Sequence, residues 1–163
     1  MKYLGYLFLF VLVIGCKETP EKAVDAKAEF PAEKVSVLET KRELEARGFK
    51  IFDYVDQKTK DTILMQQYFM AFLKRGTNTS QSKEELDSLQ ALHLAHLGNM
   101  YELGYADISG PFGDDGEIRG ITIYNVPTLK MADSLANLDP MVAAGRLAIE
   151  IHPWWAAKGF SLR

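Results

Sequence analysis

The chain has 163 residues, 47% of them apolar and 11% aromatic, which is enough to bury the core of one ordinary domain and excludes disorder throughout. Its 19 basic and 22 acidic side chains leave a net charge of -3, which argues against a protein that grips nucleic acid by neutralising phosphates. A lone cysteine, Cys16, excludes an internal disulfide framework and a zinc site built from several thiolates.

Met1-Lys2 is a short positive start, and Tyr3 to Ile14 follows as an uncharged apolar run interrupted only by Gly5. Such a run has the length of a signal-peptide core and is short for a membrane span. Val13-Ile14-Gly15-Cys16 then resembles the lipobox of bacterial lipoproteins. Residues 1–15 are accordingly expected to be a signal peptide, and Cys16 the lipidated first residue of the mature chain. Acyl chains there would hold the protein to a membrane of the bacterial cell envelope, on its periplasmic or outer-membrane side. Lys17 to Lys34 is dense in charge and carries two prolines and one aromatic, too little apolar surface to offset the entropy of ordering. Residues 16–34 read as a flexible tether, 35–61 as an N-terminal extension and 62–163 as the main domain.

Within the extension, Leu38 to Arg47 has helical charge spacing with Gly48 as its stop, and Ile51 to Val55 reads as a short strand before the polar turn 56–61. Thr62 to Leu73 is rich in branched and aromatic residues and predicts a central strand. Ser82, with Glu85 three positions on, predicts a capping box and a helix running to about Leu103. Its apolar arc holds Leu86, Leu89, Leu92, Leu97, Met100 and Leu103, and both His93 and His96 fall inside that arc. Ala106 to Ser109 and Gly120 to Tyr124 predict a hairpin about the Asp114-Asp115-Gly116 turn. Thr128 caps a helix over 129–138, Asp139-Pro140 opens a short one that ends at Gly145, and Leu147 to Ile151 predicts the last strand. From Thr62 the order is strand, helix, strand, strand, helix, strand. That pattern predicts an α+β ferredoxin-like split βαβ sandwich, one antiparallel sheet with helices on one face.

His93-Leu-Ala-His96, Ser109-Gly110-Pro111-Phe112-Gly-Asp-Asp-Gly, Arg119-Gly120-Ile-Thr-Ile, Asp139-Pro-Met-Val-Ala-Ala-Gly145-Arg146 and Glu150-Ile-His-Pro-Trp154 occur in an order and spacing that resemble the YCII-related (YciI-like) domain family. The resemblance covers about Tyr68 to Lys158. It implies a ferredoxin-like domain whose open sheet face pairs with a second copy, as in dimeric α/β barrels. It also implies an active site on a histidine and an aspartate, here His93 and Asp139, and lyase or dehalogenase-type chemistry on a small molecule. The leader and the segment 35–61 depart from the family pattern.

An imidazole titrates near neutrality, and a carboxylate on its second nitrogen sets the tautomer, so His93 and Asp139 suit general acid-base work. An aspartate before proline is also a routine helix cap, and both roles coexist if one oxygen caps while the other faces the imidazole. Arg146 and the pair Lys74-Arg75 are candidates to orient an anionic substrate. His96, His152, Trp154 and Ser109 complete the expected substrate-binding set. The three-residue spacing of His93 and His96 is compatible with a shared metal, for which only His152 or a carboxylate is available as a third ligand; spacing alone is weak evidence, and neither metal nor cofactor is expected. The expected partners are a membrane through Cys16, a second copy of the chain and a small-molecule ligand, with no nucleic acid. The reading from a different class is a non-catalytic ligand-binding or assembly module of the same fold.

Overall fold

The computed structural model describes residues 36–160 and 162, all within one unit, Val35–Arg163. The expected signal peptide, Cys16 and the whole tether lie outside the described residues. Among the described residues no helix is long and apolar enough to cross a membrane.

Helix α1 (Val37–Ala46) starts at a Ser36–Glu39 capping box and precedes strand β1 (Ile51–Val55). Strand β2 (Thr62–Arg75) is followed by helix α2 (Lys83–Glu102), whose start has the expected Ser82–Glu85 box. Strands β3 (Ala106–Pro111) and β4 (Ile118–Tyr124) form the hairpin, helices α3 (Leu129–Ala136) and α4 (Pro140–Ala143) follow, and β5 (Leu147–Ala157) closes the chain.

All strand pairs are antiparallel. Residues 69–74 of β2 are flanked by β4 on one edge and β5 on the other, giving the order β5-β2-β4-β3. With helices α2 to α4 on one face, this is the expected ferredoxin-like arrangement. Strand β1 pairs with residues 62–66 of β2, on the edge that β4 occupies further along, so the extension lengthens the sheet. Side chains alternate between the faces of a strand. Phe69, Ala71 and Tyr124 therefore meet Met100, Ala132 and Ala136 in the core beneath the helices. Leu64 and Ile51 point the other way and receive Leu44 of α1 and Phe49. Beyond α1 that second face carries Met70, Phe72, Ile123 and Trp154, with Trp154 40% exposed.

Two expectations change. Strand β5 runs six residues past Ile151, through His152-Pro153-Trp154-Trp155, because the long β2 offers a partner to Ala157. Its proline is tolerated because β5 is an edge strand, where a missing N–H need break no ladder bond. On α2, Leu92 and Leu103 are more than half exposed while His93 and Met100 are buried, so the sheet-facing stripe is narrower than the leucines suggest.

Candidate active site

A cleft of about 590 Å³ opens between α2 and the helix-side surface of β2, β4 and β3. That volume suits a small organic molecule. Apolar walls come from Leu73, Leu86, Leu97 and Met141, and polar groups from His93, Arg146, Ser109, Gln90, Arg75 and Arg119.

His93 lies near the centre of the sheet-facing stripe of α2 and is 9% exposed. Asp139 is 2% exposed and stands at the cap position of α4, where Pro140 supplies the first turn. The Asp139 carboxylate divides its oxygens. Oδ1 accepts from the Met141 N–H at 2.9 Å, and Oδ2 lies 2.6 Å from His93 Nδ1. A carboxylate only accepts, so Nδ1 carries the proton and donates it, and Nε2 of the neutral ring is left with its lone pair. The described residues give Nε2 no hydrogen-bond partner, and the ring lines the cleft. Capping and orientation of the imidazole are thus met by one buried side chain, a structural arrangement that sequence spacing left open. Beneath the pair, burial and the Asp139 charge push the Tyr124 phenol well up, so it stays neutral.

No family model matches the chain, and no curated protein matches it. Among solved structures it is similar to 5-chloro-2-hydroxyhydroquinone dehydrochlorinase from Burkholderia phenoliruptrix AC1100, solved with 2,5-dihydroxybenzoquinone. The two are 20% identical, with 53% of this chain and 92% of that chain covered and a TM-score of 0.41.

The remaining expected site residues separate. Arg146 and Ser109 line the cleft with His93, and Ser109 Oγ shares a 3.0 Å hydrogen bond with Thr122 Oγ1. Lys74, His152 and Trp154 do not join them. They lie on the opposite face of the sheet, because even-numbered positions of β2 and β5 pair there while Leu73, Ile149 and Ile151 face the helices. Lys74 and His152 both bind Glu150, at 3.0 and 2.8 Å, and Trp154 stacks at 6.2 Å from Tyr68. Of the adjacent pair Lys74-Arg75, it is Arg75 that lines the cleft. Alternation along β2 carries that signal, and it is readable once the strand's buried face is known. Arg75 and Arg119 share the Asp115 carboxylate at 2.6 and 2.9 Å, which holds Asp115 below the usual carboxylate range.

His96 is one helical turn from His93 yet does not line the cleft. It faces α3, with the Leu135 backbone beside it and a buried Nε2 that has no hydrogen-bond partner. Among the described residues no group of three or more His, Cys, Asp or Glu side chains is placed to hold a metal ion. Burial lowers the His96 pKa from its ordinary value of 6.5. Above 6.5 the ring is neutral folded or unfolded, so it adds no pH dependence. As the pH falls below 6.5 the unfolded chain takes up a proton that the folded one resists, and stability drops. His96→Gln is expected to flatten the loss of stability between pH 7 and about 5.5, measured by urea unfolding at several pH values.

Proposed function

We propose that this protein is an enzyme that uses His93 as general base and acid, oriented by Asp139, in an elimination on a small organic molecule of the lyase or dehalogenase type. The observation that carries this reading is the 2.6 Å bond from His93 Nδ1 to a buried carboxylate, which leaves Nε2 as the ring nitrogen available to the cleft. Nε2 takes a proton from the carbon beside the one that bears the leaving group. The C–H electron pair becomes the new double bond, the leaving group departs with the electrons of its own bond, and Asp139 stabilises the imidazolium. The imidazolium then gives its proton to water, so the balance is loss of an acid HX from the substrate.

The same reading includes attachment to the cell envelope through a lipid on Cys16, supported by the charged start, apolar run and lipobox-like Val-Ile-Gly-Cys of the leader. It also includes pairing of two copies through the sheet face that α2 to α4 leave uncovered. The apolar side chains of β2, β4 and β5 on that face, with Trp154 and Ile108 each more than a third exposed, support it. The YciI-like resemblance of His93, Asp139 and the segments around them agrees with the acid-base chemistry and with the pairing.

The test is acid or halide release from a panel of small halogenated and hydroxylated compounds. His93→Gln is expected to fold and to slow turnover by about 10²–10⁴-fold, the usual share of a positioned acid-base group. Turnover by folded His93→Gln at the wild-type rate would overturn the mechanism. Tight binding without turnover of any compound would favour a ligand-binding module instead.

A further inference from the structure

We propose that the molecule taken up by the cleft carries a carboxylate, and that Arg146 holds it; this rests on reading the cleft as the site of the chemistry proposed above. Three guanidinium groups line the cleft, from Arg75, Arg119 and Arg146. The first two are bridged by Asp115 and also bond backbone carbonyls of the β3–β4 turn. Among the described residues Arg146 has no carboxylate partner and no side-chain hydrogen bond, although it is half-buried. A partly desolvated guanidinium without an acceptor gains from an anion, and its planar fork matches a carboxylate in two parallel bonds.

The backbone fixes where that charge sits. The Arg146 N–H donates to the Met141 carbonyl at 3.0 Å, and its own carbonyl accepts from Gly76 at 2.9 Å. Asp139 caps the start of the same short helix. The group that orients the base therefore stands at the start of α4, and Arg146, three residues past the end of that helix, is tied back to Met141 within it. One small molecule can reach both. The walls between are apolar, from Leu73, Leu97 and Met141, so the chemistry that fits is an anionic head on an apolar or aromatic body. One guanidinium without a partner among the described residues suits a single negative charge better than a doubly charged phosphate.

The experiment measures binding of benzoate, 4-hydroxybenzoate and 3-phenylpropionate, each beside its carboxamide, to the intact chain in detergent by titration calorimetry. At least one carboxylate is expected to bind roughly tenfold or more tightly than its carboxamide, as a charge-assisted pair predicts. Arg146→Gln is expected to abolish that difference and Arg146→Lys to restore part of it, while His93→Gln keeps it. Equal binding of acids and amides, binding by Arg146→Gln within twofold of wild type, or no binding by any of the six compounds would overturn the proposal. Carboxylate binding without turnover of any compound would remove the elimination chemistry and leave this site standing. Turnover of neutral compounds that Arg146→Gln leaves unchanged would remove the carboxylate and leave the role of His93.

Discussion

Asp139→Asn is expected to fold and to lose turnover by about 10²–10⁴-fold, although asparagine has nearly the shape of aspartate. The reason is the count of acceptors. Asp139 accepts with both oxygens, from Met141 N–H and from His93 Nδ1–H, whereas asparagine has one acceptor and one donor. If the amide oxygen stays on the Met141 N–H, the amide nitrogen faces Nδ1 and can bond only to its lone pair. The ring proton then moves to Nε2, and the nitrogen beside the cleft becomes a donor where a base is needed. Asp139→Ala removes both bonds. Loss of a helix cap costs about 1 kcal/mol and a buried donor left unpaired about 1–3, so this variant is expected to lose roughly 2–4 kcal/mol of stability. Urea unfolding of the two variants beside their turnover separates the roles. Wild-type turnover by Asp139→Asn would show that the tautomer of His93 is irrelevant to the reaction.

Gly76→Ala is expected to cost about 3 kcal/mol or more, at the upper end of overpacking effects. Gly76 follows β2 and donates its N–H to the Arg146 carbonyl at 2.9 Å, while Asn78 bonds the Gly145 carbonyl at 3.0 Å. A Cβ at Gly76 would lie 2.1 Å from the Gly145 carbonyl oxygen and 2.6 Å from the Arg146 carbonyl carbon. Those are backbone atoms and cannot swing aside. Gly145 is itself held at φ +68, as the residue that ends α4, so the turn has little freedom to retreat. The clash would push away the segment that carries Arg146 into the cleft, so weaker carboxylate binding is expected with the loss of stability. Gly98 offers the contrast. It lies on the exposed side of α2 with nothing within 4 Å of a built Cβ, and Gly98→Ala is expected to stabilise by about 0.5–1 kcal/mol. A midpoint in urea for Gly76→Ala equal to wild type would contradict the packing argument.

The helix caps at Ser82, Thr128 and Asp139, the hairpin and the strand order from Thr62 onward were readable because each depends on neighbours in the chain. Ser82 reaches Glu85, Asp139 reaches Met141, and a glycine follows each of α1, α2 and α4. The length of β5 was not readable. His152-Pro153-Trp154-Trp155 has no strand periodicity of its own and is extended because β2 is long enough to pair with it. The grouping of the site residues had the same limit. Lys74 and Arg75 are adjacent in sequence and point to opposite faces, and His93 and His96 share a helical arc yet meet different neighbours, the cleft and α3.

The lone Cys16 and the apolar leader, the absence of a thiolate cage, the α+β order and the candidacy of His93 and Asp139 follow from residue type, spacing and family resemblance. Those are local properties, set by what each residue is and by what stands a few positions away. Only the tertiary structure brought Asp139 within 2.6 Å of a histidine 46 positions earlier, left Arg146 beside the same cleft with no partner among the described residues, and turned Lys74, His152 and Trp154 to the other side of the sheet. The reason is physical. Which face of a strand is buried, and which charges find each other, depend on surfaces assembled from distant parts of the chain, and no window of sequence contains both sides of such a contact.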